Sequence, residues 1–311
     1  MIKTKMLKSL THSLFIAGSL FYSQNILAYD LPEIKESGVI RHIGVPYANF
    51  VSYIKRGDFE SLSGLDVELI KGFAKHIGVE YQYVPAEWHD VIGKLIGQDV
   101  LYSNNKFSWG DKRTVEGDII ANGATILEWR TELADFSDDY FISGVWLVAR
   151  SDSDLSPIEP AESIDADISS VKRMIRGKDV LALEFSCLDP NLYNLYETGA
   201  NVILPEPDRK LNEMVPAILK NDAETTLLDV ADALIALEKW PGEIKVIGPI
   251  SQEQKMGAAF RKSSPLLRQA FNEYLDGIRK DGSFQKLVKK HYPSIFYFYG
   301  DYFMDGTTKD L

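Results

Sequence analysis

Apolar side chains recur at steps of four along residues 63–78, SGLDVELIKGFAKHIG, and this period is typical of a helix that buries one face. The residues on that face are Leu65, Leu69, Phe73 and Ile77. Gly78 stands where such a helix would end. A short strand in RHIG precedes the helix, and a strand in VEYQYVP and a helix in WHDVIGKLIG follow it. This strand-helix-strand-helix order predicts an α/β fold with a parallel sheet covered by helices.

The same alternation returns after residues 152–167, an acidic, proline-containing stretch of the kind that links compact units. A second α/β series then runs from SSVKRMIRGKDVLALEF to AETTLLDVADALIALEKWPG, and two helices close the chain. Residues 99–116 are polar and broken by turn residues, so we interpret them as an inserted loop. Because the closing helices need a sheet to pack on, we expect the chain to return to its first unit.

The first 28 residues have the parts of a secretory leader. Lys3, Lys5 and Lys8 form a basic start, SLFIAGSLF is an apolar run too short to span a bilayer, and NILA ends in a small residue. An uncleaved anchor is the alternative. No cysteine lies near the cleavage point, so a lipid anchor is not indicated. We therefore expect residues 1–28 to be a signal peptide that is removed on export.

Charge and motif content exclude several classes of function. The chain has 34 basic and 45 acidic residues, a formal net charge of −11, and such a surface repels nucleic acid and anionic membranes. Its one cysteine, Cys187, cannot form an intramolecular disulfide. The histidines lack metal-ligand spacing, and the sequence has neither a nucleophile elbow nor a phosphate-binding glycine loop. We therefore expect no metal and no cofactor.

Four segments, in order, resemble the bacterial family 3 extracellular solute-binding proteins: GVIRHIGVPYANF, GLDVELIKGFAKHIGVEYQYVPAEW, TILEWRTELADFSDDYFISGVWLVAR and IRKDGSFQKLVKKHYP. The resemblance implies a two-lobed periplasmic binding protein fold of type II. In that fold two crossing strands form a hinge, and the ligand lies in the cleft between the lobes. Lobe one would comprise residues 29–147 and 252–311, and lobe two residues 148–251.

The resemblance also implies which residues bind the ligand. Arg130 takes the place of the arginine that holds the α-carboxylate, a role that suits the paired donors of a guanidinium. Asp229 takes the place of the acid that receives the ammonium. Ser186 matches a hydroxyl residue at a helix end, where free N–H groups and the helix dipole also favour a carboxylate. The other predicted contacts are Tyr47, Phe50, Asn122 and Thr125.

Each of these residues also has a simpler structural interpretation. Arg130 could form an exposed ion pair with acids of its own segment, worth at most about 1 kcal/mol. Asp229 and Ser186 could only cap helices, where both residue types are favoured. The two aromatics could belong to the core, and the two small polar residues could only complete a turn. Cys187 is interpreted as a packed apolar group, because no histidine is placed to activate it as a nucleophile.

Four features depart from the family's pattern. Leu127 stands where a threonine is usual, Asn122 and Gly123 form the small polar pair, Asp139 replaces a proline, and the insertion at residues 99–116 is unusual. These departures bear on the identity of the solute rather than on the class of protein.

A narrower likeness relates KLNEMVPAILKNDAETTLLDVADALIAL and KKHYPSIFYFYGDYF to the non-catalytic N-terminal module of membrane-bound lytic murein transglycosylase F. Because this chain ends at Leu311, we expect it to lack that enzyme's lysozyme-like domain.

The family resemblance implies a periplasmic receptor without catalytic activity that closes around a small zwitterionic or anionic solute, such as a polar amino acid. It would act as a monomer and deliver the solute to an ABC permease of the inner membrane. Two alternatives stay open. One is an enzyme on the same fold, either a transglycosylase relative or a dehydratase of the cyclohexadienyl type. The other is a sensory module without a transport role.

Overall fold

The computed structural model describes residues 30–57, 59–103, 106–205 and 210–304. The predicted signal peptide, residues 1–28, lies outside these ranges. Within them the chain forms two five-stranded sheets and three two-stranded sheets, and helices pack against the larger two.

The strands of the described residues are, in chain order, β1 (Val39–Gly44), β2 (Ser52–Arg56), β3 (Phe59–Ser63), β4 (Glu80–Pro85), β5 (Gln98–Ser103), β6 (Lys106–Lys112), β7 (Ile119–Ile120), β8 (Asp135–Phe136), β9 (Phe141–Ser143), β10 (Val145–Arg150), β11 (Asp179–Leu181), β12 (Asn201–Ile203), β13 (Thr225–Asp229), β14 (Ile244–Pro249), β15 (Gln254–Met256) and β16 (Ala259–Phe260).

The α-helices of the same ranges are α1 (Leu31–Ser37), α2 (Leu65–Ile77), α3 (Val91–Ile96), α4 (Glu128–Thr131), α5 (Ile164–Met174), α6 (Met214–Leu219), α7 (Val230–Lys239), α8 (Pro265–Lys280), α9 (Ser283–His291) and α10 (Phe296–Met304). Short 3₁₀ helices lie at Pro190–Tyr193, Leu195–Thr198, Leu211–Glu213 and Pro293–Ile295. None of the described helices has both the length and the apolar character that crossing a bilayer requires.

The first large sheet has the strand order β4-β1-β7-β16-β8. Strand β1 runs parallel to β4 and β7, whereas β16 is antiparallel to both of its neighbours. Helix α2 covers this sheet with the predicted apolar face and ends at Gly78, whose φ of 79° is the left-handed conformation that glycine adopts at little cost. The predicted β-α-β-α opening is confirmed. This sheet with its helices is called the first lobe below.

The second large sheet, which with its helices forms the second lobe, has the order β12-β11-β13-β10-β14. Strand β13 is parallel to β11 and antiparallel to β10. Its last residue, Asp229, lies opposite Val145 at the start of β10. Asp229 therefore stands at the edge of the sheet where the chain enters from the first lobe.

Two crossings join the lobes. Strand β9, which leads into β10, pairs antiparallel with β15, which follows β14. Beyond β15 the chain enters the first sheet as β16, between β7 and β8. The expected return to the first unit and the hinge of two crossing strands are thus present, whereas the boundaries at residues 147 and 252 stay a prediction.

The prediction of an inserted loop at residues 99–116 is wrong. Strands β5 and β6 form an antiparallel hairpin, with Tyr102 opposite Phe107. Ion pairs of Arg113 with Asp99 and Glu116 hold the base of the hairpin. A hairpin on a lobe's surface buries few side chains, so its period-two apolar pattern is weak and the polar residues dominate the sequence signal.

The aromatic segment that follows α9 packs across the two lobes. The ring of Tyr292 lies 4.9 Å from that of Phe50 and 5.0 Å from that of Phe141, between ring centroids. Farther along, Phe298 meets Trp146 of β10, with centroids 5.5 Å apart. This segment therefore braces the hinge side of the molecule.

Candidate functional site

Arg130 lies at the end of a cleft between the lobes, on the four-residue helix α4. Its side chain is buried, with 5% of the residue exposed, and Nη1 donates to the carbonyl oxygen of Thr125 over 3.0 Å. In the described part of the chain it forms no ion pair, so the exposed-pair interpretation does not hold here. Burial lowers the pKa of the guanidinium, and the nearby Cys187, Tyr193 and Tyr102 offset that effect only in part. The remaining donors of Arg130 suit an anionic partner.

Two indole rings flank this guanidinium. The central carbon of Arg130 lies 5.6 Å from the ring centroid of Trp88 and 5.3 Å from that of Trp129, within the range of cation–π attraction. Neither tryptophan was predicted as a site residue. Trp88 lies three residues before α3 and Trp129 directly before Arg130, and these positions were the signal that the sequence carried.

Asp229 faces the cleft from the second lobe. It is fully buried, and its Oδ1 accepts from the backbone N–H of Asp232 over 2.9 Å, so it caps helix α7. Burial raises the pKa of its carboxyl to about 7, and hydrogen bonds from the N–H groups of Asp232 and Ala231 partly offset that rise. The capping role is present, and Asp229 too lacks an ion-pair partner among the described residues. Its second oxygen, Oδ2, lies 3.9 Å from the sulfur of Cys187.

Cys187 connects the two charged residues. Its thiol is buried next to Asp229; burial raises the pKa of the thiol, and the charge of Arg130 acts in the opposite direction. A thiol held protonated in this way is a poor nucleophile. Arg130 and Thr125 of the first lobe therefore meet Cys187 and Asp229 of the second lobe around one point.

Other contacts hold the lobes together at the same place. On the hinge strand β15, Gln254 Nε2 donates to the hydroxyl of Tyr193 over 3.1 Å. Nearer solvent, Lys210 Nζ lies 3.6 Å from a carboxylate oxygen of Glu87. The cleft is therefore closed in this structure.

Several polar atoms around the cleft are buried without a hydrogen-bond partner. Within the described ranges they include Tyr47 Oη, both polar atoms of the Asn122 amide, Thr125 Oγ1, Trp129 Nε1 and Gln254 Oε1. A buried polar atom that stays unpaired costs about 1–3 kcal/mol, and native proteins contain few of them. A cluster of such atoms beside Arg130 is what a polar ligand would satisfy.

Asn122 and Thr125 lie close to Arg130, and their ligand role stays a prediction. Asn122 lines a cavity of about 20 Å³ together with Trp88 and Arg130, a space of the order of one water molecule. Asp66 holds the turn that carries both residues, because its Oδ2 accepts a hydrogen bond from the N–H of Gly123 over 2.7 Å.

Asp66 was not predicted, because an acid in the first turn of a helix is usually solvent-exposed. Here it is fully buried, and its Oδ2 also accepts from the hydroxyl of Tyr140 over 2.9 Å. Burial raises its pKa to about 7 against the effect of these two hydrogen bonds.

The two predicted aromatics have different surroundings. Tyr47 meets the edge of Trp88 with ring centroids 5.8 Å apart, so it lies close to Arg130. Phe50 is packed into the core between Tyr47, Phe141 and Tyr292. Phe50 therefore packs behind Tyr47 and helps to hold that residue in place, and its direct contact with a ligand stays a prediction.

Ser186 lies in a tight turn of the second lobe. Its hydroxyl donates to the carbonyl oxygen of Leu183 over 2.7 Å and accepts from the N–H of Leu188 over 2.9 Å. The 3₁₀ helix that begins at Pro190 is capped by Asp189 instead. Ser186 thus shapes the loop at the helix end, and its ligand role stays a prediction.

The hairpin adds a residue that the sequence did not suggest. The ring of Tyr102 stacks on that of Trp129, with centroids 4.3 Å apart and planes at 25°. On its other side Tyr102 meets Phe185 of the second lobe at 6.3 Å. Burial and Asp189 raise the pKa of the Tyr102 hydroxyl to about 12, and Arg130 acts in the opposite direction.

Comparison with known proteins identifies the family. The model of the bacterial extracellular solute-binding proteins, family 3, matches residues 43–294. The membrane-bound lytic murein transglycosylase F of Desulfosudis oleivorans is 26% identical over 284 residues, which are 91% of this chain but 55% of that protein. The chain thus spans about half the length of this relative.

The L-cystine-binding protein TcyJ of Escherichia coli is 24% identical over 260 residues, 84% of this chain and 85% of that one. A crystal structure of a mutant of ArgBP from T. maritima superposes with a TM-score of 0.65 at 24% identity, covering 85% of this chain and 99% of that one. The predicted two-lobed fold is confirmed. No group of three or more metal-ligating side chains is found among the described residues.

Proposed function

The chain belongs to the bacterial extracellular solute-binding proteins, family 3, and we propose that it is a periplasmic receptor that closes around an amino acid. On this proposal it acts as a monomer, catalyses no reaction and presents the closed form to an ABC permease of the inner membrane. Its family and the cystine-binding relative support this class of ligand.

The observation that carries the proposal is a separated pair of opposite charges. Arg130 on the first lobe and Asp229 on the second are both buried, and neither forms an ion pair in the described part of the chain. A buried charge without a partner is costly, so each of the two side chains calls for a counter-charge. An amino acid supplies both, with its carboxylate toward Arg130 and its ammonium toward Asp229.

This arrangement also explains closure. The two ends of a zwitterion reach both residues only when the lobes approach, so the ligand binds the closed form better than the open one and shifts the population toward it. The unpaired polar atoms of Tyr47, Asn122 and Thr125 surround the same place and would complete the hydrogen bonds of the ligand.

Isothermal titration calorimetry with the common amino acids tests the proposal. At least one should bind, and Arg130→Ala should abolish that binding while the circular dichroism spectrum stays unchanged. Arg173→Ala, which removes an exposed arginine of α5, is the matched control and should bind as the wild type does. Unchanged affinity in Arg130→Ala would refute the assignment of the carboxylate site.

A second candidate follows from the likeness to the transglycosylase over 91% of this chain. Here the cleft would sense a cell-wall fragment, with no transport role. In a thermal-shift screen, a muropeptide that raises the melting temperature while every amino acid is silent would favour this function. A ligand at 100 times its dissociation constant adds about 2.7 kcal/mol of stability, so either response is measurable.

Catalysis is a third candidate because the pKa of Asp229 is raised to about 7, which suits proton transfer at neutral pH. Incubation of each bound compound with the protein, followed by mass spectrometry of the mixture, separates binding from turnover. Recovery of the compound unchanged is the result expected of a receptor.

A further inference from the structure

Tyr102 is the residue through which the β5–β6 hairpin enters the cleft. It is 4% exposed, whereas its neighbour Leu101, on the opposite face of the strand, is 60% exposed. The hairpin therefore directs the ring of Tyr102 toward the cleft, whereas the face that carries Leu101 points to solvent.

The inward ring completes an aromatic wall that spans both lobes. Tyr102 is stacked between Trp129, which adjoins Arg130, and Phe185 of the second lobe. Phe185 has a φ of 63°, an unfavourable value for a bulky residue, and its N–H donates to Asp189 Oδ2 over 3.3 Å. The wall is thus held from both sides in a fixed position.

The charged side chains near this wall already have partners in the proposed complex. On the proposed function, the carboxylate and ammonium of the solute use Arg130 and Asp229. Asp189 is buried nearby, but its oxygens accept three hydrogen bonds, from the N–H of Phe185 and from the backbone and side chain of Asn191. Of the described charged side chains near this wall, Arg130 and Asp229 therefore serve the two ends of the solute, and Asp189 is already hydrogen-bonded.

A charged solute side chain would meet like charges there. A cation placed on the indole rings would compete with the guanidinium of Arg130, which lies 5.3 Å from Trp129 and 5.6 Å from Trp88. An anion would approach the buried carboxylates of Asp189 and Asp229. A cation would find the Asp189 oxygens already hydrogen-bonded, and an anion would find Arg130 occupied by the carboxylate of the solute. Among the described residues neither charge therefore gains a new partner, and an unpaired buried charge is strongly unfavourable.

The wall does provide for an uncharged side chain. Ring faces suit an apolar stem, and the buried N–H of Trp129 has no partner, so it can donate to a neutral acceptor such as an amide oxygen. We propose that the β5–β6 hairpin, through Tyr102, selects amino acids with uncharged side chains over isosteric charged ones. This inference rests on the proposed function and specifies its substrate class.

Two isosteric pairs test the selection by calorimetry: glutamine against glutamate, and norleucine against ornithine. In each pair of which a member binds, we expect the neutral member to bind at least about tenfold more tightly than its charged partner, because an uncompensated buried charge exceeds that factor in cost. Tyr102→Ala should reduce this ratio by admitting water beside the charged group. Leu101→Ala, which alters the outer face of the same strand, should leave the ratio unchanged.

The outcomes separate the two proposals. Tighter binding of glutamate or ornithine than of the neutral partner would overturn the selection while leaving an amino acid receptor in place. An unchanged ratio in Tyr102→Ala would refute the role of the hairpin. Absence of binding by all amino acids would instead refute the proposed function, on which this inference depends.

Discussion

The sulfur of Cys187 lies 3.9 Å from Oδ2 of Asp229, at the point where the second lobe faces Arg130 of the first. Among the described side chains, the thiol is the only hydrogen-bond donor to that oxygen, and a thiol is a weak donor. The carboxylate that would receive an ammonium is therefore held in place by its cap to α7 through Oδ1, while Oδ2 keeps its capacity for a stronger donor.

Asp229→Asn should weaken amino acid binding without harming the fold. The amide keeps an oxygen that can cap α7, but it removes the charge-assisted hydrogen bond to the ammonium, worth about 1.5–3 kcal/mol, or about 10-fold to 150-fold in affinity. Calorimetry measures the affinity, and thermal unfolding checks the fold. An affinity equal to that of the wild type would place the ammonium elsewhere.

Affinity should rise with pH through neutrality. The pKa of Asp229 is raised to about 7 by burial, so most of the carboxyl is protonated at pH 6 and most is ionised at pH 8. Because only the ionised form attracts an ammonium, the dissociation constant should fall about tenfold over this interval. Calorimetry at several pH values gives the profile. Asp229→Asn is the control, and its profile should be flat; an equal slope in the variant would exclude Asp229 as the titrating group.

Asp66 should make the fold less stable as pH rises. Its pKa is about 7 in the folded protein against an ordinary value of 3.8, because burial disfavours the charged form. The folded state therefore holds a proton that the unfolded state releases above about pH 4. The resulting contribution to stability is complete below that pH and is lost as pH approaches 7, by about 3 kcal/mol between pH 5 and pH 8.

Urea unfolding of the wild type and of Asp66→Asn at pH 5 and pH 8 measures this contribution. Burial lowers the pKa of His42 to about 4, which gives a trend of opposite sign below about pH 6.5, so the informative quantity is the difference between the two proteins. The unfolding free energy of the wild type should fall more, from pH 5 to pH 8, than that of the variant. An equal change of the unfolding free energy in both proteins would show that Asp66 does not titrate between pH 5 and pH 8.

Gly123→Ala should destabilise the protein and weaken binding. Gly123 has a φ of 64°, and a Cβ there would lie 2.5 Å from the ring of Phe50, which is fixed in the core. Strain and overpacking of this kind cost about 1–3 kcal/mol each, and the displaced turn carries Asn122. Gly277→Ala in α8 is a matched control, because a Cβ there meets no atom within 4 Å.

The control should be neutral or gain up to about 1 kcal/mol from the better helix propensity of alanine. Chemical denaturation gives the stability of both variants, and calorimetry their affinity. A Gly123→Ala protein as stable as the wild type would mean that the turn and the Phe50 ring can move apart at little cost.

The order of the elements could be predicted because it depends on neighbours along the chain. The apolar steps of α2 and the glycine at its end identified this helix within two residues of its bounds. Likewise the family resemblance named Arg130 and Asp229, and both are buried at the cleft. The leader pattern predicts export, and composition gives the formal net charge of −11.

The sequence did not reveal which side chains surround those two charges. Phe50 belongs to the core, and Ser186 completes a turn, because contacts with distant residues such as Tyr292 and with the local loop decide their orientation. Asp66 is buried although its position in a first helical turn favours exposure. These outcomes depend on burial, which is a property of the packed molecule.

The β5–β6 hairpin is the clearest case of a feature that the sequence did not predict. Its sequence is polar and turn-rich, so only the folded chain shows that Tyr102 turns inward and stacks on Trp129, 27 positions away. By itself the sequence determined the class of fold and the order of most of its elements, and the resemblance it carries named one charged group for each end of the candidate site. Tertiary structure decided which aromatic rings line the cleft, which residues support the Asn122 turn and how far burial shifts the pKa values. All three depend on how closely residues that are distant in the chain approach each other and exclude water.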